Sequence, residues 1–80
     1  MNHLERQESI VNADEIKKLD NYLKNTFQNS ALQVRARPKK GDSCEVYIGD
    51  EFLGVIYRDE EENELSYNFS MAILDIDLEN

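Results

Sequence analysis

"EVYIGDEFLGVIYRDEEENE", residues 45–64, holds a turn dipeptide, two runs of apolar residues and an acidic cluster. The phase of its apolar residues decides which way a sheet would face. Gly49-Asp50 fits a two-residue hairpin loop of type II′, with glycine leading. That loop pairs Ile48 with Glu51, Tyr47 with Phe52, Val46 with Leu53 and Cys44 with Val55. Cross-strand partners share a face, so Leu53, Val55 and Tyr57 are expected to join Val46 and Ile48. The same face then meets Leu65, Tyr67, Phe69 and Met71, which alternate with Ser66, Asn68, Ser70 and Ala72. The acidic run, 59–64, joins Tyr57 to Leu65 and is expected as the solvated loop of a hairpin. A calcium loop of the EF-hand kind needs alternate oxygen ligands, a glycine at the sixth position and a bidentate Glu at the twelfth, and the run has none of that pattern.

Working towards the N-terminus, "ALQVRAR" (31–37) alternates Leu32, Val34 and Ala36 with Gln33, Arg35 and Arg37, a strand with one wet face. "PKKGD" (38–42) reads as a turn. Before it, Asn12 and Glu15 form a capping box, with Val11 and Ile16 as the hydrophobic staple. Ile16, Leu19, Leu23 and Phe27 follow at helical spacing and make one apolar stripe. "QNS" (28–30) ends the helix, with Asn29 expected in the left-handed conformation. Residues 1–11 lack a clear period and read as a mobile extension to a single domain over 12–80. At the other end, the apolar phase of "MAILDIDLEN" slips from Met71 and Ile73 to Leu74, Ile76 and Leu78, which calls for a bulge or a separate short segment.

The expected fold is therefore α+β: an N-terminal helix packed on a four-stranded antiparallel meander sheet, with an irregular C-terminal segment. At 80 residues the core is small, which makes a deep catalytic cleft an unfavourable expectation and help from a second subunit a natural one. Charge is uneven along the chain. Residues 1–40 hold 8 of the 9 Lys and Arg and 5 of the 17 Asp and Glu, so the first half carries +3 and the second −11. A net charge of −8 opposes phosphate backbones at long range. No stretch reaches the roughly 20 apolar residues of a membrane span. The opening residues do not resemble a signal peptide, and the single cysteine offers no disulfide framework, so the expected location is cytoplasmic.

Few residues suit chemistry. His3 lies in the extension and Cys44 on the expected core face, so no nucleophile stands beside a base. No Cys/His cluster has zinc spacing, no glycine-rich phosphate loop is present, and neither a metal nor a cofactor is expected. Asp75 and Asp77 form an Asp-x-Asp, read as the wet side of an amphipathic strand rather than as a metal pair. The basic segment is the more specific candidate for binding. Arg35 and Arg37 share a strand face, Lys39 and Lys40 follow, and Tyr47 lies on the corresponding face of the next strand, so an anion, an acidic protein or a stacked base would fit there. The competing reading pairs these cations with Glu45 and other acids across the sheet. Tyr47, Phe52 and Ile56 leave the second face more apolar than open solvent favours, and make it a candidate dimer face.

The strings "ADEIKKLDNYLKNTF" and "VRARPKKGDSCEVYIGDEFLGVIYRDEEENELSYNFSMAILDIDL" resemble a family of short, uncharacterised alphaproteobacterial proteins classed as a domain of unknown function. The resemblance spans roughly residues 13–79 and is carried by "RPKK", "EVYIGDEF" and "SYNFSMAILDIDL". It implies a bacterial cytoplasmic protein and brings no activity with it. The leading functional expectation is a non-enzymatic binding or adaptor protein with a protein partner, homodimeric through Tyr47, Phe52 and Ile56. The alternative is an RNA- or ribosome-associated protein using the basic segment 35–40.

Overall fold

The computed structural model describes residues 11–79. The expected extension lies, apart from Val11, outside the described residues. Helix α1 (Ala13–Thr26) precedes strands β1 (Leu32–Ala36), β2 (Ser43–Ile48), β3 (Glu51–Glu61) and β4 (Glu64–Ser70), and a single 3-10 turn covers Asp75–Leu78. All strand pairs are antiparallel, in the order β1-β2-β3-β4, so the sheet is a meander. A helix on such a sheet is the α+β fold expected from the sequence. Among the described residues no helix is long and apolar enough to cross a membrane.

The capping box forms as read: Glu15 N–H donates to Asn12 Oδ1 at 2.8 Å, and Asn12 N–H donates to Glu15 Oε1 at 3.0 Å. Val11 is buried and half-buried Ile16 packs against the same core, as a staple requires, and the Val11 N–H donates to Gly41 O at 2.7 Å. Val11 thus belongs to the folded body. At the other end the left-handed residue is Gln28, with φ 52°, rather than Asn29. Gln28 N–H donates to Asn25 O and Asn29 N–H to Lys24 O, the two bonds of a Schellman motif. Asn29 serves the next turn instead, its Oδ1 accepting from Ala31 N–H at 2.9 Å.

The hairpin at Gly49-Asp50 starts in the expected register, Ile48 with Glu51 and Tyr47 with Phe52, and Gly49 has φ 61°. Then β3 bulges. Val46 pairs with Gly54 instead of Leu53, and Cys44 with Ile56 instead of Val55. One extra residue reverses every side chain beyond it. Ile56, expected on the second face with Tyr47 and Phe52, is therefore 2% exposed in the core with Val46, Cys44, Leu32, Val34, Leu23 and Val11. Tyr57, expected in the core, is exposed on the other face. The cause lies in Gly54: a Cβ built there would stand 2.3 Å from Ser70 O and 2.9 Å from Phe69 Cε1. Only glycine lets β4 come that close, so Gly54 occupies the core side and the register shifts to suit it.

The acidic run is also more ordered than expected. β3 continues through Glu61, with Glu60 opposite Leu65 and Glu61 opposite Glu64, and only Glu62 and Asn63 form the turn. Both have positive φ, 49° and 67°, the type I′ pattern that matches strand twist. After β4 the chain breaks, and the C-terminal segment forms its own turn rather than a strand.

Candidate functional site

Two pairs of charged groups decide where α1 sits. Asp20 Oδ1 accepts from Val34 N–H at 2.9 Å, while Lys24 Nζ donates both to Asp20 Oδ2 and to Leu32 O at 2.5 Å. The helix thus caps outward backbone groups of the edge strand β1, which would otherwise invite pairing. Glu15 fastens the helix N-terminus to the opposite half of the sheet. Its Oε2 accepts from Arg58 Nε at 2.9 Å and from Tyr67 O–H, while Arg58 also donates to Glu60 at 3.1 Å. Burial tends to raise the Glu15 pKa, but the hydrogen bonds from Tyr67, Asn12 N–H and Arg58 outweigh it and hold the carboxyl below its ordinary value. The same balance, with Lys24 and Val34 N–H as donors, lowers Asp20. Burial and the neighbouring Glu15 raise the Tyr67 phenol, keeping it a neutral donor.

Pinned in this way, α1 packs chiefly on β1. Away from Glu15 it leaves the β3–β4 half of the sheet uncovered. A groove of about 480 Å³ opens there above Ile56, lined by Leu19, Tyr22, Leu23, Phe27, Tyr67 and Phe69. Past Phe27 and Phe69 it continues into a hollow bordered by Leu32, Ile48, Leu53 and Met71. Its walls are aromatic and aliphatic and stand in solvent: Tyr22 is 64% exposed, Phe27 55% and Phe69 36%. Soluble single chains seldom leave so large a contiguous apolar surface open without a use for it.

Of the binding and dimer-face candidates read from the sequence, Arg35, Tyr47 and Phe52 lie on the other face, Lys39 and Lys40 sit in the β1–β2 connection, and Ile56 is in the core. Arg35 stacks its guanidinium 3.9 Å above the Tyr47 ring, and Tyr47 meets Phe52 edge to face with ring centroids 5.6 Å apart. Arg35 also donates to Gln33 and to Gly49 O. Arg37 donates to Ser43 Oγ at 2.9 Å and lies 3.7 Å from Glu45. Tyr47 O–H donates to Glu45, and that bond raises its pKa. Lys39 and Lys40 are exposed and border a shallow hollow with Arg37 and Pro38. Arg35 and Tyr47 therefore share a face as expected, but they stack on one another, and both arginines are already engaged by neighbours of the same sheet.

Burial, aided by Glu15, pushes the Cys44 thiol up to about 11, so it stays protonated at neutral pH. Asp77 closes its own turn, accepting from Leu74 N–H at 2.9 Å. Among the described residues no three His, Cys, Asp or Glu side chains are grouped to hold a metal ion.

A helix laid on one half of a four-stranded meander, with an apolar groove along the other half, defines a small α+β protein with one open apolar face. Residues 15–77 match the family of proteins of unknown function DUF3126, and the chain belongs to that family. No curated protein and no solved structure matches it.

Proposed function

We propose that this chain is a non-enzymatic interaction module of an alphaproteobacterial cytoplasm, an adaptor that takes a protein segment into the groove between α1 and β4. The observation that carries this reading is the exposure of Tyr22, Phe27 and Phe69 along one continuous apolar channel. Such a channel suits apolar side chains of a peptide better than a charged or polar ligand. The cytoplasmic assignment rests on the lone, buried Cys44 and on the family resemblance.

The alternative, RNA contact through Arg35, Arg37, Lys39 and Lys40, draws support from the guanidinium–aromatic stack. It is weakened by the bonds that already occupy both arginines and by the charge of −8. The two readings separate in a capture experiment using the full chain and lysate of its host, with untagged copies counted as a protein partner. The groove reading expects nuclease-resistant capture that Phe27→Glu abolishes with the circular dichroism unchanged, and that Phe52→Glu on the other face leaves intact. Capture that vanishes with nuclease, or with Lys39→Ala and Lys40→Ala, would move the function to the basic segment.

A further inference from the structure

Resting on that reading, we infer that the groove receives residues 71–78 of a second copy of this chain, exchanged reciprocally in a two-fold dimer. Ile73, Leu74, Ile76 and Leu78 are 58–70% exposed, and the 3-10 turn that carries the last two packs extensively on no other element. Four large apolar side chains in six residues, all exposed, are complementary to an apolar groove on the same molecule. The lengths agree. From Leu19 to Phe27 the helix wall rises about 12 Å, and residues 73–78, part extended and part 3-10 turn, span about 15 Å.

The chain direction favours the second copy. Met71 already borders the far end of its own groove, beside Phe27, so the segment departs where it would have to enter. Entering in cis needs a reversal immediately after Met71, where Ala72, Ile73 and Leu74 offer no turn-forming residue. A short connection that cannot turn back is the usual setting for exchange between copies. The sheet edges point the same way. Asp20 and Lys24 cap β1, whereas among the described residues nothing bonds to the outer edge of β4. Antiparallel pairing of two β4 edges brings Ser70 of one copy beside Glu64 and Leu65 of the other. The groove's second mouth lies there, bordered by Leu65, Tyr22 and Lys18. Residues 1–10 are the poorer occupant, since their only large apolar residues are Met1, Leu4 and Ile10.

The test combines mass in solution with directed crosslinking. Wild type should sediment at twice the 9.3 kDa chain mass. Ile76→Asp with Leu78→Asp, both outside the core, should weaken dimerisation about 100-fold or more while leaving the circular dichroism unchanged. Mixing Tyr22→Cys chains with Ile76→Cys chains under mild oxidation should give a disulfide between the two kinds; Cys44, buried and protonated, stays out of the reaction. A monomer that binds an apolar fluorescent dye, and loses it with Phe27→Glu, overturns the exchange and leaves the groove open for another protein. A monomer whose Tyr22→Cys, Ile76→Cys double variant crosslinks internally overturns the exchange and the docking groove together. A dimer indifferent to Ile76→Asp and Leu78→Asp but lost in Phe52→Glu overturns it in favour of the opposite face.

Discussion

Glu62 holds a left-handed backbone, φ 49°, directly before Asn63 at φ 67°. For an L residue with a Cβ that conformation costs roughly 1–2 kcal/mol; Asn tolerates it better because its short amide bonds locally. The type I′ turn demands positive φ at both positions, and the flanking pairs Glu61 with Glu64 and Glu60 with Leu65 hold it in place. Glu62 also adds a fourth carboxylate to a tip that already has Glu60, Glu61 and Glu64. Glu62→Gly should therefore relieve both strain and repulsion. We expect about 1 kcal/mol of added stability, which for a domain this size raises the midpoint of thermal unfolding by about 4–8 °C. A variant equal to or less stable than wild type in calorimetry would mean that the tip is not strained. Sequence reading placed a loop here because nothing about a run of glutamates announces a two-residue turn. The cue was Asn63, one of the few residue types that accept positive φ.

Among the elements, β3 is the one whose geometry controls the rest. Its bulge places Leu53 beside Ile48 and Ile56 over the core, and it exists because Gly54 admits the Ser70 carbonyl. Gly54→Ala puts a methyl into backbone, which cannot step aside as a flexible side chain would. A loss of about 3 kcal/mol is expected from such overpacking. Hydrogen exchange should show β4 losing protection before β1 does, since Ser70 and Phe69 are the displaced groups. Uniform loss of protection, or an unchanged midpoint, would place the origin of the bulge elsewhere. How much was legible follows from the kind of signal each element leaves. The Asn12–Glu15 box, the Gly49-Asp50 turn and the alternation that buries Leu32, Val34, Cys44 and Val46 are local, and all three appear as read, except that Ala36 at the end of β1 is exposed. The parity of β3 depends on a contact between Gly54 and a strand sixteen residues later, invisible to a period-2 argument. An isolated glycine inside a strand was the available warning. The groove was hidden for another reason. Its opening is set by Asp20, Lys24 and Glu15, polar helix residues that an apolar-stripe argument assigns to water or to the helix cap, yet which bind the backbone of β1 and the side chains of β3 and β4.

At the scale of the whole molecule, one small helix is held to the sheet by a modest core and by those carboxylates, so its docking should depend on pH. The sign follows from which state binds protons first. Glu15 and Asp20 both titrate lower in the folded chain than their ordinary values of 4.5 and 3.8. On acidification the unfolded chain takes up these protons first, and the stability they contribute is complete above about pH 5 and lost as pH falls through their folded values. A second effect runs the other way, because approaching the isoelectric point near 4.5 removes the self-repulsion of a chain carrying −8. The total stability of wild type alone would mix the two. The difference between wild type and Glu15→Gln separates them, since the general charge effect is common to both chains. Glu15 is only 14% exposed at its side chain and receives Arg58 and Tyr67, so replacing its charge should cost about 2 kcal/mol at pH 7. That difference should shrink steadily below about pH 4.5, as wild-type Glu15 is itself protonated. Denaturant unfolding at fixed protein concentration, from pH 7 to pH 3, measures it directly, the concentration being held because dimerisation would add its own stability. A gap that stays constant across that range would mean that Glu15 acts by packing and not by charge, and that the clamp holding α1 at the mouth of the groove is not electrostatic.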